Sequence, residues 1–171
     1  MLKFDLHTHT IASGHAFNTV FELAKEAEKR KIEAIAITDH GPSMEGSSCV
    51  GYFEMLKQIP KELYNVKILR GGELNIINTK GEIDLPLDVQ DTLDLVIVGL
   101  HKRTPFPQKT TISQNTSAII NAIKKNRVHI ISHPYRLKFP IDIKKRPHEV
   151  YINHFPYKYI KHLKVISSII Y

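Results

Sequence analysis

The stretch Phe4-Asp5-Leu6-His7-Thr8-His9 opens the chain as a short strand that carries two histidines. Successive side chains of a strand point to opposite faces, so we expect Asp5, His7 and His9 on one face and Leu6 in a core on the other. Neutral histidine is the commonest metal ligand, and two imidazoles this close form one arm of a chelate. A His-x-His pair alone is weak support for a metal site, so the later strands decide its interpretation.

Four later segments resemble buried strands, and each ends at a histidine or a glutamate. The segments are residues 34–38, 66–70, 93–99 and 128–132, and the residues that follow them are His40, Glu73, His101 and His133. Helical patterns at 19–30 and 113–125 alternate with these strands, which predicts parallel βα units. The carboxyl ends of such strands converge on one mouth. A single strand-end histidine is usually a solvated or capped residue, but five such ends together predict a multi-metal site.

Length and composition indicate one globular domain. The chain has 171 residues, of which 42% are hydrophobic and 24% charged, which is ordinary for a folded protein. The single Cys49 excludes an internal disulfide framework and favours a reducing compartment. The first residues lack the apolar region of a signal peptide, and no apolar run approaches membrane-spanning length. These features predict a cytoplasmic protein without a membrane partner.

The net charge of +7 is concentrated at the end of the chain. Residues 1–142 hold 18 Lys or Arg and 16 Asp or Glu, whereas residues 143–171 hold six Lys or Arg and one acid, Glu149. A nucleic-acid-binding domain would carry its basic residues along one face. The charge distribution therefore does not favour nucleic acid as a partner.

The motifs at these strand ends resemble those of the PHP (polymerase and histidinol phosphatase) domain, most closely its small YcdX-like phosphatase subgroup. The matching segments cover residues 1 to about 143 and are Asp5-Leu6-His7-Thr8-His9-Thr10, His15, Ile37-Thr38-Asp39-His40-Gly41-Pro42, Gly72-Glu73, Gly99-Leu100-His101 and Ile130-Ile131-Ser132-His133-Pro134. The resemblance implies an α/β fold, a distorted TIM-like (β/α)7 barrel, of which about five βα units are present here.

The resemblance also implies a trinuclear centre, usually of zinc or manganese, that hydrolyses phosphate esters. For this chain, which lacks two of the family ligands, it implies two to three divalent metals. His7 and His9 would then hold one metal, His15 and His40 a second, and His101 and His133 a third. Glu73 would bridge the first and third. Independently of the family, metals about 3.5–4 Å apart can clamp a phosphoryl group. Because water activated by such metals is a sufficient nucleophile, no serine or cysteine nucleophile is needed, and Cys49 is interpreted as a bystander.

Several polar residues near the proposed ligands have weaker interpretations. Asp39 either orients a neighbouring ligand as a hydrogen-bond acceptor or is a turn residue, with equal support. His129 is interpreted as an interior histidine rather than a ligand. Lys102, Arg103 and Arg136 follow two proposed ligands and are candidates for phosphate contact, although solvated surface charge explains them more simply.

The sequence departs from the family pattern after residue 143. Members of the family continue with further βα units, and the last carries an Asp-x-His that completes the first and second metals; residues 144–171 have no such motif. We therefore divide the chain into the N-terminal portion of a PHP barrel, residues 1–143, and an atypical basic and apolar tail, residues 144–171.

Two explanations of the tail remain open. One is a frameshift near residues 143–147, which the other reading frames of the coding DNA would test. The other is a natural short form whose tail covers the open sheet edge or pairs with a second chain to form a homo-oligomer.

Two functional classes follow from the sequence. The first is a metal-dependent phosphatase that acts on a phosphorylated small molecule, with activity weakened because two family ligands are missing. The alternative is a non-catalytic metal-binding PHP remnant. Both classes use the same ligands, so the motifs do not separate them. A polymerase-associated or exonuclease role has no support, because no polymerase region is attached.

Overall fold

A computed structural model describes residues 3–134 and 137–142 of the chain. The tail boundary at residue 143, the interpretation of residues 144–171 and the site residue Arg136 lie outside the described residues. They remain predictions. Among the described residues, no helix is long and apolar enough to cross a membrane.

The architecture is a parallel sheet curled like part of a barrel wall, with helices packed against it. Its parallel strands are β1 (Phe4–Thr8), β2 (Ala34–Ile37), β4 (Val66–Asn75), β5 (Leu95–Gly99) and β6 (Ile130–Ile131), and a short β3 (Glu62–Leu63) pairs antiparallel with β4. The parallel strands lie side by side in chain order, β1-β2-β4-β5-β6. This order is the one that successive βα units adopt around a barrel, and it confirms the mixed α/β fold class with parallel strands.

The helices are α1 (Val20–Lys29), α2 (Val50–Met55), α3 (Leu87–Gln90) and α4 (Ile112–Lys125). α1 begins after Thr19, in agreement with the helical pattern at 19–30, and α4 begins one residue before the predicted 113. Thr19 and Thr111 each form a capping box with the residue three positions later. The sequence interpretation missed α3 and β3. Both are too short to show a hydrophobic period. β3 forms by pairing with β4, and α3 buries only Val89 and Gln90.

The core lies on both faces of the sheet. On the inner face, Leu6, Ala36, Leu69, Leu95 and Ile97 form one buried cluster. On the outer face, Ala24 and Ala27 of α1 pack on Ile35, Ile37, Val66 and Ile68, and α4 covers the far side of β5. The uniformly apolar β2 and β5 are explained by burial on both faces.

The first strand differs from the regular alternation that we expected. Its register with β2 shifts between Asp5 and Thr8. Leu6 packs in the inner cluster with Ile97, and Ile97 lies opposite Glu73 in the β4–β5 pairing. The irregularity therefore brings His9 to the side of the sheet that Leu6 and Glu73 share, rather than to the opposite one. Such irregularities often re-aim side chains at functional sites.

The capping box of α1 gives a stability prediction. The Thr19 hydroxyl accepts a hydrogen bond from Glu22 N at 3.3 Å, and the Glu22 carboxylate accepts one from Thr19 N at 2.7 Å. Replacing Thr19 with alanine should lower the free energy of unfolding by about 1 kcal/mol, measured by urea denaturation. Thr110→Ala, one residue before the cap of α4, should change it by less than about 0.5 kcal/mol. Equal effects of the two substitutions would contradict the capping role.

Candidate metal centre

The candidate site lies at the carboxyl ends of the parallel strands and is centred on Glu73. Glu73 is 1% exposed and pairs with His40 in a parallel bridge beyond the end of β2. Its backbone N–H donates to Asp39 O at 3.0 Å, and its carbonyl accepts from Gly41 N at 2.9 Å. Strand pairing therefore fixes the backbone position of Glu73 independently of the contacts that its side chain makes.

Three imidazoles approach one oxygen of this carboxylate. His7 Nε2 lies 3.1 Å from Glu73 Oε2, and His9 Nε2 lies 3.3 Å from the same oxygen. His40 Nδ1, from the end of the neighbouring strand, lies 3.3 Å from it. One carboxylate oxygen thus connects the ends of β1 and β2.

Two further imidazoles approach the other oxygen. His101 Nε2 lies 3.2 Å and His133 Nε2 lies 3.0 Å from Glu73 Oε1, and the two nitrogens are 3.1 Å apart. His133 has a φ of 36°, in the left-handed region that non-glycine residues rarely adopt. Glu73 therefore contacts histidines from both sides, which is the arrangement a bridging ligand requires.

His15 completes the group. Its ring centroid lies 5.2 Å from that of His9 and 4.9 Å from that of His40. Among the described residues, three overlapping sets have ligand atoms within 4.8 Å of one another, namely His9, His15 and His40; His7, His9 and Glu73; and His40, Glu73 and His101. The seven residues that the sequence singled out as ligands thus lie in one cluster.

The electrostatics favour metal-binding forms of the central residues. Burial alone would raise the pKa of Glu73, but contacts at hydrogen-bonding distance with four imidazoles, those of His101, His133, His7 and His9, hold that pKa well below its usual range. Burial lowers the pKa of His40 to about 3, and the neighbouring imidazoles of His101, His9 and His15 lower it as well, against the opposing effect of Glu73. At neutral pH, Glu73 is therefore ionised and His40 neutral, as metal ligands must be.

His7 behaves differently from His40. Burial disfavours its charged form, but the hydrogen bond to Glu73 and the charges of Glu73 and Asp5 raise the pKa of His7 above its ordinary value. Burial also raises the pKa of Asp5, against the lowering effect of His7. In the metal-free chain, the contact with Glu73 thus favours the protonated form of His7.

These shifts predict a pH dependence for the metal-free chain. In the unfolded state His40 takes up a proton near pH 6.5, but in the folded state it does so only near pH 3. Because the pKa of His40 is lower in the folded state, its contribution to the free energy of unfolding is fully present above pH 6.5 and is lost as the pH falls. The loss should reach about 2 kcal/mol at pH 5. His7, with its raised pKa, has the opposite sign and reduces the net effect.

The measurement is urea denaturation in EDTA at pH 7.5 and pH 5. We expect a lower free energy of unfolding at pH 5, and a smaller difference between the two pH values in His40→Asn. The same pH dependence in the unmodified chain and in His40→Asn would contradict the assignment of His40 as a buried neutral imidazole.

The residues with weaker sequence interpretations have clear positions. His129 is interior, as expected, and its Nδ1 accepts a hydrogen bond from Val96 N at 2.9 Å. Lys102 is exposed, and the exposed Arg103 lies 3.9 Å from the Glu45 carboxylate. Cys49 is exposed at the start of α2 and belongs to none of the three ligand sets.

The carboxylate of Asp39 is connected to the proposed ligand His9 through a serine. Its carboxylate accepts hydrogen bonds from Thr10, Ser13 and Tyr52, and Ser13 Oγ in turn lies 2.9 Å from His9 Nδ1. The sequence interpretation missed Ser13 and Tyr52. The spacing of Ser13 from His9 was the only available signal, and it does not distinguish a loop serine from a buried one.

Asp84 is a second acid that the sequence interpretation missed. It accepts hydrogen bonds from Ser43 N at 2.9 Å and Asn75 N at 2.8 Å. It also lies so close to Gly41 that a Cβ at Gly41 would overlap its carboxylate. Asp84 thereby joins the loop after His40 to the end of β4, and the absence of a side chain at Gly41 makes this contact possible.

Comparison with known proteins agrees with the site geometry. The PHP domain model matches residues 5–167. The chain belongs to the PHP family. This match confirms the resemblance seen in the strand-end motifs, and it continues past the boundary that we placed at residue 143.

Curated relatives carry the name probable phosphatase. The chain is 48% identical over 144 residues to one from Caldanaerobacter subterraneus subsp. tengcongensis, 47% over 144 residues to one from Thermoanaerobacter sp. strain X514, and 47% over 146 residues to one from Acetivibrio thermocellus. Each alignment covers 84% of this chain but only 56%, 58% and 60% of the respective relative. The chain therefore spans a little over half the length of these relatives.

Proposed function

We propose that the chain carries the metal-binding part of a phosphatase that hydrolyses a phosphate monoester of a small molecule. One observation carries the proposal: imidazole nitrogens of five histidines lie within 3.3 Å of the two oxygens of a single buried carboxylate, Glu73. The family match and the phosphatase names of the relatives support it.

The donor set fits divalent zinc or manganese. Imidazole nitrogen suits zinc, and carboxylate oxygen suits zinc and manganese. A bare imidazole nitrogen and a carboxylate oxygen repel each other unless a proton or a cation lies between them. Two to three cations shared among the seven residues would satisfy all these contacts, with Glu73 as the residue that connects the positions.

Bound divalent metals would supply Lewis-acid chemistry, because they lower the pKa of water and neutralise charge on phosphoryl oxygens. The chain itself contributes a rigid arrangement of ligands at the ends of five strands. Lys102 and Arg103 directly follow His101 and remain candidates for contact with the phosphate. Arg136 belongs to the same proposal, although it lies outside the described residues. A distorted (β/α)7 barrel of which about five βα units are present, and a cytoplasmic location, also belong to the proposal.

The test combines metal analysis and turnover. The purified chain would be loaded with Mn²⁺ or Zn²⁺, its metal content measured, and hydrolysis of p-nitrophenyl phosphate followed with and without EDTA. We expect metal-dependent hydrolysis that is weak but measurable and that His9→Ala abolishes. Lys25→Ala, on the exposed face of α1, should leave the rate within about twofold.

The outcomes separate the two functional classes. Metal binding without any turnover would favour the non-catalytic remnant over the phosphatase. Hydrolysis that survives both EDTA and His9→Ala would contradict a metal-dependent reaction at this site.

A further inference from the structure

Outside the seven proposed ligands, the buried carboxylate of Asp39 lies at the centre of a hydrogen-bond network. Asp39 lies at the end of β2 and is 0% exposed. Its Oδ1 accepts from Thr10 N at 2.6 Å and from Ser13 Oγ at 2.7 Å, and its Oδ2 accepts from Thr10 Oγ1 at 2.8 Å and from Tyr52 OH at 2.5 Å. A carboxylate offers about four acceptor positions, so four donors leave it fully satisfied and fixed in place.

Ser13 connects this carboxylate to two of the proposed ligands. The side chain is 1% exposed, and its Oγ lies 2.7 Å from Asp39 Oδ1, 2.9 Å from His9 Nδ1 and 3.0 Å from His40 N. A hydroxyl group has one proton to donate and two lone pairs that accept. Its three neighbours therefore use its full hydrogen-bonding capacity.

The direction of each bond follows from the chemistry of the neighbours. The backbone N–H of His40 can only donate, and the Asp39 carboxylate only accepts. The Ser13 proton must lie between Ser13 and Asp39, since two unprotonated oxygens 2.7 Å apart would repel each other. The remaining lone pair of Ser13 then requires a donor, so His9 Nδ1 carries a proton.

The consequence is a defined role for His9. With the proton on Nδ1, its Nε2 is unprotonated, and this nitrogen lies 3.3 Å from Glu73 Oε2 and 3.2 Å from His7 Nε2. We propose that Ser13, held by Asp39, is a positioning residue that fixes His9 in the Nδ1–H tautomer and aims its Nε2 at the metal. Such partners fix the ring orientation and raise the basicity of a ligand. The inference rests on the proposed function, because it assumes that His9 is a metal ligand.

The same contact positions a second ligand. Because Ser13 Oγ also accepts from the backbone N–H of His40, it joins the segment after β1 to the end of β2. Asp39, for which the sequence left a ligand-orienting role and a turn role equally open, thus acts through a serine, on the ring of His9 and on the backbone of His40. Loss of the hydroxyl should disturb two strand ends at once.

The first experiment determines the tautomer of His9 in the unmodified chain. ¹H–¹⁵N NMR correlation spectra of the metal-free protein with ¹⁵N-labelled histidine, recorded at pH 8, distinguish Nδ1–H from Nε2–H, and the spectrum of His9→Asn assigns the signals. We expect the Nδ1–H tautomer for His9. An Nε2–H tautomer would overturn the proposal, and this result needs no variant of Ser13 to fold.

The second experiment compares two hydroxyl deletions. Ser13→Ala and Tyr52→Phe each remove one hydroxyl donor to Asp39, but only Ser13 contacts His9. We expect Ser13→Ala to populate both tautomers and to lower Zn²⁺ affinity by about 10- to 100-fold, measured by competition with a chromophoric chelator. Tyr52→Phe should change the affinity by less than about threefold.

The controls separate this proposal from the function on which it rests. Ser48→Ala, which removes a hydroxyl that donates to the nearby Ala12 O, should leave tautomer and affinity unchanged. Equal losses in Ser13→Ala and Tyr52→Phe would indicate a merely structural network and overturn the positioning role. Failure of the unmodified chain to bind Zn²⁺ would count against the proposed function, while the tautomer spectrum would still decide the direction of the Ser13 hydrogen bonds.

Discussion

Replacing Glu73 with glutamine should lower the affinity of the chain for Mn²⁺ or Zn²⁺ by more than about 100-fold. Glutamine keeps the shape of the side chain but removes the charge, and its amide nitrogen cannot bind a cation. The loss should exceed the 10- to 100-fold typical of residues that only support a ligand, because Glu73 contacts histidines from four of the strand ends. Metal content after dialysis and competition with a chelator measure the effect.

The control for this prediction is Glu82→Gln. Glu82 is an exposed acid in the turn beyond β4, where its carboxylate accepts from Asn78 Nδ2 at 2.7 Å. It changes the net charge by the same amount without touching the cluster, so we expect metal affinity within about twofold of the unmodified chain. Retention of full metal content in Glu73→Gln would show that the carboxylate is not a ligand.

Substitution of two interior histidines, His101 and His129, should have different effects on metal binding. His101 is 1% exposed and lies in the cluster, whereas His129 is 9% exposed and accepts a backbone hydrogen bond from Val96. We expect His101→Asn to lower metal content by about one ion for each chain and metal affinity by more than about tenfold. His129→Asn should leave the metal content unchanged and cost about 1–3 kcal/mol of stability, because it removes a buried acceptor.

Metal analysis and urea denaturation of the two variants test this distinction together. Loss of metal in His129→Asn with a normal free energy of unfolding would show that the sequence interpretation assigned the wrong histidine. Unchanged metal content in His101→Asn would exclude His101 as a ligand.

Much of the site was predictable because it depends on a simple rule of parallel sheets. Strands β2 and β5 are apolar along their length, and His40 and His101 follow where they end. Glu73 and His133 lie near the carboxyl ends of β4 and β6. Parallel pairing brings those ends together, so residues far apart in sequence could be assigned to one cluster. The start of α1 at Thr19 was predictable from local capping chemistry, whereas α4 was expected from about Ser113 and is capped two residues earlier, at Thr111.

Other features depend on tertiary contacts that no local pattern shows. The register shift in β1 reverses the alternation that period-two reasoning assumes, so the direction of His9 could not be derived from spacing. Ser13 and Tyr52 matter because the turn after β1 and helix α2 bring both hydroxyl groups to Asp39. Asp84 likewise acquires its role only when the segment after β4 folds back onto Gly41.

The central claim is that one buried carboxylate organises a cluster of divalent metals. Anomalous X-ray diffraction from crystals of the chain loaded with Mn²⁺ or Zn²⁺ tests it most directly, because the anomalous map locates each ion. We predict two or more peaks at the strand ends, each within coordination distance of Glu73 or of the histidines around it. Peaks confined to exposed carboxylates, with none beside Glu73, would contradict the account.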